Sequence, residues 1–330
     1  MSAVLLALGL LAAHAAAAPD SAAVAAPDTV RSAASPALRF EPGAVLGASE
    51  SARERLVEPS GVTTDAFGRV YVTDAATHRL ARWDAAGRWL DQAGSLGSEA
   101  NEFRRPGAVA RLGSLGVAVL DVENRRVVTY NLDLHLLGVL AEFGTAEMEA
   151  SLGAVTPIGL ASDRGGAVYV ADADGDRVLA FDFSGRFLRA IGGHGEGEGR
   201  LRGLAAVAVS PQGVLVTADR PRERGPARLQ WFDAGGRVTR VAFAPAAAAA
   251  PRGRPGALAL AVDDGGRVAL SDESAGTIVL LGAGAEVLAR LAGLDRPDGL
   301  AFAPDGSLLV AERGAGRVRR FVPRPLAPGE

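Results

Sequence analysis

Short apolar runs alternate with tight polar breaks along most of the chain, and six of the runs end in an acid. They are VYVTD at Asp74, VAVLD at Asp121, VYVAD at Asp172, VLVTAD at Asp219, VALSD at Asp272 and LLVAE at Glu312. Runs this short, rich in Val and bounded by Gly, Asp and Ser, predict strands and not helices. The surroundings of each acid repeat as well. Five residues later stand Arg79, Arg126, Arg177, Thr277 and Arg317, and nine later stand Trp83, Tyr130, Phe181, Leu281 and Phe321. In the fourth copy both features are displaced by the same four residues, to Arg228 and Phe232, which marks a local insertion. Six residues before the acid come Gly68, Gly166, Gly213, Gly266 and Gly306, and fifteen before it Pro59, Pro106, Pro157 and Pro297.

Each copy reads as four strands. In the first, GVTTD and VYVTD form a hairpin about a Gly-containing turn, RLARWD supplies a third strand and RWLDQAG a fourth. The third copy repeats this as GLASD, VYVAD, RVLAFD and RFLRAIG. Four antiparallel strands repeated six times predict an all-β, six-bladed β-propeller; the coils of a parallel β-helix are much shorter. After Phe321 the chain offers only VPRPLAPGE, too proline-rich for a fourth strand in the last blade. The strand-like segment Leu38 to Leu46 has no blade of its own. It is expected to complete blade six, closing the ring and removing two exposed sheet edges.

The copies beginning at Pro59 and Pro157, PSGVTTD–GRVYVTD–THRLARWD and PIGLASD–GAVYVAD–GDRVLAFD, resemble the NHL repeat. The segments GSLGSEANEFRRP and GGHGEGEGRLRGL look like the Gly-rich inter-blade loops of that family. The resemblance implies a propeller, and it implies function only loosely, because NHL propellers serve both as binding platforms and as enzymes.

The ends read differently. Residues 1–18 run from an apolar stretch into small residues and are expected to be a signal peptide, which places the protein outside the cytoplasm, periplasmic or extracellular. Residues 19–36, rich in Ala, Pro and Ser, read as a linker, leaving 37–330 for the propeller. No later apolar stretch is long enough to span a bilayer, so no integral membrane segment is expected after signal removal. The 35 basic residues are all Arg and are set against 38 acids, a formal charge of −3 that argues against a nucleic-acid partner. With no Cys there is no disulfide framework, thiolate metal site or cysteine nucleophile.

The acid-to-Arg pairs (Asp74/Arg79, Asp121/Arg126, Asp172/Arg177, Glu312/Arg317) recur with the repeat and are expected to be scaffold, the carboxylate accepting amides while it holds the guanidinium. Function is sought where copies break the rule. In the fourth, the insertion carries Arg220, Arg222 and Arg224, forks suited to a carboxylate or phosphate. In the fifth, Asp272 and Glu273 stand together while Thr277 replaces the Arg partner. In the sixth, RPDGLAFAPDGSLLVAE also resembles lactonase-type six-bladed propellers. That resemblance implies a divalent ion held over the channel by Glu, Asn and Asp and draws attention to Asp298 and Glu312, although Asp298 stands where those enzymes carry Asn. Asp172-Ala-Asp174-Gly-Asp176 opens like a calcium loop but has Phe183 where the bidentate Glu would stand. The expected ligand-binding residues are therefore Arg220, Arg222, Arg224, Asp272, Glu273, Asp298 and Glu312, with no catalytic residue assigned and the metal question open. The leading expectation is a non-catalytic scaffold for a protein, peptide or glycan-like ligand, bound on the face carrying the second-to-third-strand turns and needing no cofactor. The alternative is a lactonase- or esterase-type hydrolase dependent on a divalent cation.

Overall fold

The computed structural model describes residues 38–220, 226–244 and 257–325. Among these, 24 strands assemble into six four-stranded antiparallel sheets. Blade 1 comprises β2 (Pro59–Thr64), β3 (Val70–Asp74), β4 (Arg79–Trp83) and β5 (Trp89–Ala93), and blade 2 comprises β6 (Pro106–Leu112), β7 (Gly116–Asp121), β8 (Arg126–Asn131) and β9 (Leu136–Glu142). Blade 3 holds β10 (Pro157–Ser162), β11 (Val168–Asp172), β12 (Arg177–Phe181) and β13 (Phe187–Gly192), and blade 4 holds β14 (Leu204–Val209), β15 (Leu215–Asp219), β16 (Arg228–Phe232) and β17 (Val238–Phe243). Blade 5 is β18 (Leu260–Val262), β19 (Val268–Asp272), β20 (Thr277–Leu281) and β21 (Val287–Leu291). Blade 6 takes β22 (Pro297–Phe302), β23 (Leu308–Glu312) and β24 (Arg317–Pro325) from one end of the propeller and β1 (Leu38–Leu46) from the other.

β1 runs antiparallel to β24, with Leu38 opposite Pro325 and Leu46 opposite Val318. The ring is thus closed as the unassigned Leu38–Leu46 segment suggested. The first strands of the blades (β2, β6, β10, β14, β18, β22) touch their neighbours in an unbroken circle and line the central channel. Six apolar clusters fill the six gaps between blades. Each middle strand is packed on both faces, which explains why VYVTD and VYVAD are buried along their whole length and show no polar alternation.

Close approach of the inner strands requires the Gly of the Pro-x-Gly motif. A Cβ on Gly299 would stand 2.9 Å from the Cα of Gly61, and one on Gly61 would stand 2.6 Å from the carbonyl oxygen of Gly107. The repeat pattern did not foretell α1 (Ala146–Leu152), a short helix between blades 2 and 3 that starts where the Thr145 side chain accepts the amide of Met148.

The acids do the structural work expected of them. Asp121, Asp172 and Glu312 hold their arginines at 3.0, 2.8 and 2.7 Å, and Asp219 holds the displaced Arg228 at 2.6 Å. The Asp74–Arg79 contact is looser, at 3.8 Å. The same carboxylates accept amides from the segment leading into the inner strand of their own blade: Asp74 from Val57 and Glu58, Asp121 from Arg104, Asp172 from Thr156, and Glu312 from Asp295. Each buried acid therefore ties the entry of the first strand to the exit of the second, with charge-assisted bonds in a low-dielectric setting.

A candidate functional site at one mouth of the channel

The channel is not an open bore. Val62, Val109, Leu160, Val207, Leu260 and Leu300 each pair with the residue two before their blade's acid, so they sit at one level of the ring. All six are buried and line both end cavities, forming an aliphatic belt between two mouths. One mouth opens among the second-to-third-strand turns and holds a cavity of about 220 Å³; the other opens among the hairpin turns and holds about 920 Å³.

The chemistry of the turn-face mouth is set by register. In blades 1, 3, 4 and 6 the pairing of the inner strand slips immediately after its first residue. A bulge of this kind re-aims the extra side chain. The bulged residues are Ser60, Ile158, Ala205 and Asp298, and all four line the cavity. A second series is the residue after each acid: Ala75, Val122 and Ala173 in blades 1–3, but Arg220, Glu273 and Arg313 in blades 4–6. The rim is accordingly divided. Blades 2 to 4 present Val122, Ile158 and Ala205, with Ile158 exposed, and their only rim charges among the described residues are the arginines Arg105 and Arg220, whereas blades 5, 6 and 1 bring Asp298 and Arg313 together with the flanking Glu273, Arg296 and Glu58.

The charged sector is a chain of ion pairs. Arg296 binds Glu273 at 2.8 Å, and Glu273 also accepts the amide of Ala257. Arg313 reaches Glu58 at 3.0 Å and Asp298 at 3.5 Å, while its Nε is buried with no acceptor. Burial pushes the Asp298 carboxyl up to about 6; Arg313 opposes the rise, Glu273 adds to it, and Arg296 and Arg105 oppose it from further off. Glu273, by contrast, is drawn below the usual carboxylate range: its own burial is outweighed by the Ala257 amide and Arg296. Arg105 lines the cavity from blade 2. Arg105 and Arg296 both hold a left-handed backbone (φ 56° and 53°) immediately before a proline, a conformation sustained only by the surrounding structure.

The residues singled out in the sequence fall into separate groups. Glu273 and Asp298 come together at the mouth. Glu312 lies beneath it, fully buried, its carboxylate held by Arg317, Arg319 and the Asp295 amide. Asp272 accepts the amides of Ser274 and Ala275 and the Ser274 hydroxyl, and it interacts electrostatically with Arg220 across the blade boundary. Arg222 and Arg224 lie outside the described residues, as do residues 1–36 with the expected signal peptide and linker. Sequence reasoning missed Arg296, Arg313, Glu58 and Arg105. The available signal for Arg313 was the residue after each acid, which changes from small and apolar to charged halfway around the ring, whereas Glu58, Arg105 and Arg296 each stand immediately before the Pro that opens an inner strand.

A divalent cation does not fit the donors present. Asp298 shares its carboxylate with Arg313 and Glu273 with Arg296, and among the described residues no three His, Asp or Glu side chains converge. The three carboxylates of the calcium-like turn are also dispersed: Asp172 to Arg177, Asp174 to the Thr156 hydroxyl, and Asp176 to His194 and the Leu204 amide.

No protein-family model matches the chain. Protein brain tumor of Drosophila melanogaster is 28% identical over 141 residues, which make up 42% of this chain and 13% of that protein. RING finger protein nhl-1 of Caenorhabditis elegans is 39% identical over 61 residues, 18% of this chain and 6% of that protein. The chain thus spans only a small part of the length of either relative. Among solved structures, a gluconolactonase from Xanthomonas campestris matches with a TM-score of 0.59 and 13% identity, covering 82% of this chain and 88% of its own. A catalytically inactive virginiamycin B lyase from Staphylococcus aureus with quinupristin matches with a TM-score of 0.58 and 10% identity, covering 86% and 99%. At those identities the likeness concerns the fold. Among the described residues no helix is long and apolar enough to cross a membrane.

Proposed function

We propose that this chain, an NHL-repeat β-propeller of six blades, is an exported binding scaffold that holds a protein, peptide or glycan-like ligand over its turn-face mouth. The observation that carries this reading is the divided rim. Ile158 and Val122 offer apolar surface on one side. On the other, Arg313 keeps a buried Nε–H without an acceptor, next to a carboxyl that burial raises to about 6. An unmet donor across the mouth from an apolar patch suits a ligand segment that carries an apolar side chain and a hydrogen-bond acceptor. Of the three ligand classes a peptide segment fits best, because it supplies both within a few residues. Export rests on the N-terminal sequence alone.

The test is selection of a random peptide library displayed on phage against the immobilised protein, followed by Arg313→Ala and Ile158→Glu. A consensus whose binding falls at least tenfold in both variants supports the reading. Failure to enrich any sequence, or binding indifferent to both changes, refutes it.

The hydrolase alternative has Asp298 in its favour, since a carboxyl raised to about 6 at a cavity mouth is poised for proton transfer near neutral pH. It would have to act without the divalent cation, for which the mouth lacks donors. Turnover of gluconolactone or a p-nitrophenyl ester that disappears in Asp298→Asn would favour it over the scaffold.

A further inference from the structure

The hairpin-face mouth, on the far side of the aliphatic belt, departs from the repeat in a way of its own. In blades 1 and 5 the Asp that opens the first hairpin is neutralised by the Arg four residues on: Asp65 by Arg69 at 2.6 Å and Asp263 by Arg267 at 2.5 Å. Blade 3 keeps the acid, Asp163, but has Ala167 at the position of the arginine. Asp163 still accepts the Ala167 amide at 3.0 Å and the Tyr169 hydroxyl at 3.2 Å, as Asp65 accepts the Tyr71 hydroxyl, yet among the described residues it makes no ion pair, and Arg189 acts only electrostatically on the same Tyr169 hydroxyl.

The neighbouring hairpin has the converse imbalance. Arg111 of blade 2 stands in register with Thr64 and Ser162. Its Nε donates to the Gly113 carbonyl at 2.7 Å, and both terminal nitrogens are without a carboxylate among the described residues. The two hairpins touch: the Ser162 hydroxyl donates to the Arg111 carbonyl, and a Cβ on Gly113 would stand 3.2 Å from the Arg164 carbonyl oxygen. The other charges lining this cavity are matched, Arg267 to Asp263 and Arg164 to Asp264. Across the channel the positions equivalent to Thr64 are Val209, Val262 and Phe302, and the floor is the aliphatic belt. The cavity of about 920 Å³ therefore presents one unmatched guanidinium, one unmatched carboxylate on the adjoining hairpin, and an apolar wall opposite.

We propose that this hairpin-face cavity is a second binding site, for a zwitterionic α-amino acid with an apolar side chain. Arg111 takes the ligand carboxylate through its guanidinium fork. Asp163 takes the ammonium at the edge that Arg69 and Arg267 occupy on its counterparts, and Val209, Val262 and Phe302 receive the side chain. The site is separated from the turn-face mouth by the belt, so it stands or falls independently of the scaffold reading.

Isothermal titration of the full chain with L-phenylalanine tests it, alongside 3-phenylpropionate, which lacks the ammonium, and phenethylamine, which lacks the carboxylate. The expected result is 1:1 binding of phenylalanine, with each analogue at least tenfold weaker. Arg111→Gln should weaken phenylalanine at least tenfold while leaving phenethylamine unchanged. Asp163→Asn, which retains an oxygen for the Ala167 amide, should weaken phenylalanine while leaving 3-phenylpropionate unchanged. Thermal melts of both variants confirm folding, and if Asp163→Asn fails to fold the Arg111→Gln comparison decides alone. No binding of phenylalanine, equal binding of all three compounds, or indifference to Arg111→Gln overturns the proposal.

Discussion

Asp298→Asn should make the protein more stable at neutral pH while leaving it nearly unchanged at low pH. The carboxyl titrates at about 6 in the folded protein against an ordinary value of 3.8, so the folded state binds the proton more tightly than the unfolded chain does. For an acid raised in this way, stability is greatest while the group is protonated in both states and declines as pH climbs from about 4 through 6. A shift of roughly two units corresponds to a ceiling of about 3 kcal/mol at pH 7 and above. The side chain keeps 20% of its exposure, so solvent screens part of this, leaving about 1–2 kcal/mol. Asn removes the charge, keeps the shape, and leaves Arg313 its pair with Glu58 at 3.0 Å. Urea unfolding of both proteins at pH 4.5 and pH 8 measures the difference directly. The reasoning is refuted if the variant is no more stable than the parent at pH 8, or if its advantage is the same at both pH values. A carboxylate retained at such a cost in the scaffold's own stability is the kind of group that binding sites keep.

Other substitutions examine the framework. Phe40→Ala should destabilise by about 3–5 kcal/mol in urea unfolding, because Phe40 is buried between β1 and the last blades with Phe321 and Leu300; a change under about 1 kcal/mol would mean the closing strand contributes little packing. Gly299→Ala should cost about 1–3 kcal/mol through the 2.9 Å approach to Gly61. Gly197→Ala, with nothing within 4 Å of its Cβ, should stay within about 0.5 kcal/mol and serves as the control. Arg228→Ala should lower stability by about 3–5 kcal/mol by leaving Asp219 buried and unpaired. Replacing both partners, Asp219→Leu with Arg228→Met, removes the unpaired charge but orphans the Arg202 amide and the Glu196 carbonyl and takes a donor from the Arg200 carbonyl, so thermal melts should show only part of that loss recovered.

The propeller could be read from the chain because its determinants are local and repeated: the acid, the Arg five residues on, the aromatic nine on and the Gly six before all report one turn and one strand pair. Ring closure was readable by elimination, since Leu38–Leu46 had no other partner. The mouth was harder. Glu273 stood out through its pairing with Asp272, but Arg313, directly after its acid, and Arg296, before Pro297, look like ordinary turn residues until the register shows that they face the same rim. Glu312 drew attention as part of a motif, yet its carboxylate is enclosed by two arginines and an amide. The unmatched pair Arg111 and Asp163 lies on different blades, and nothing in the linear pattern says that their hairpins touch. The helix at Ala146–Leu152 left a fainter trace, a capping Thr145 followed by Glu147 and Glu149 in the first turn.

The pairing of β1 with β24 also governs how the molecule comes into being. Leu38 meets Pro325 across nearly the whole length of the propeller, the most distant contact in sequence among the described residues. β1 is synthesised before all the other strands but has no partner until β24 has left the ribosome, so it must wait unpaired while five blades form. The entropy of closing that long loop falls on the last step of assembly and not the first. A circular permutant that moves Leu38–Leu46 behind Pro325 would turn blade 6 into a continuous local unit, and the folding rate would register the change even though every contact in the finished ring stayed the same.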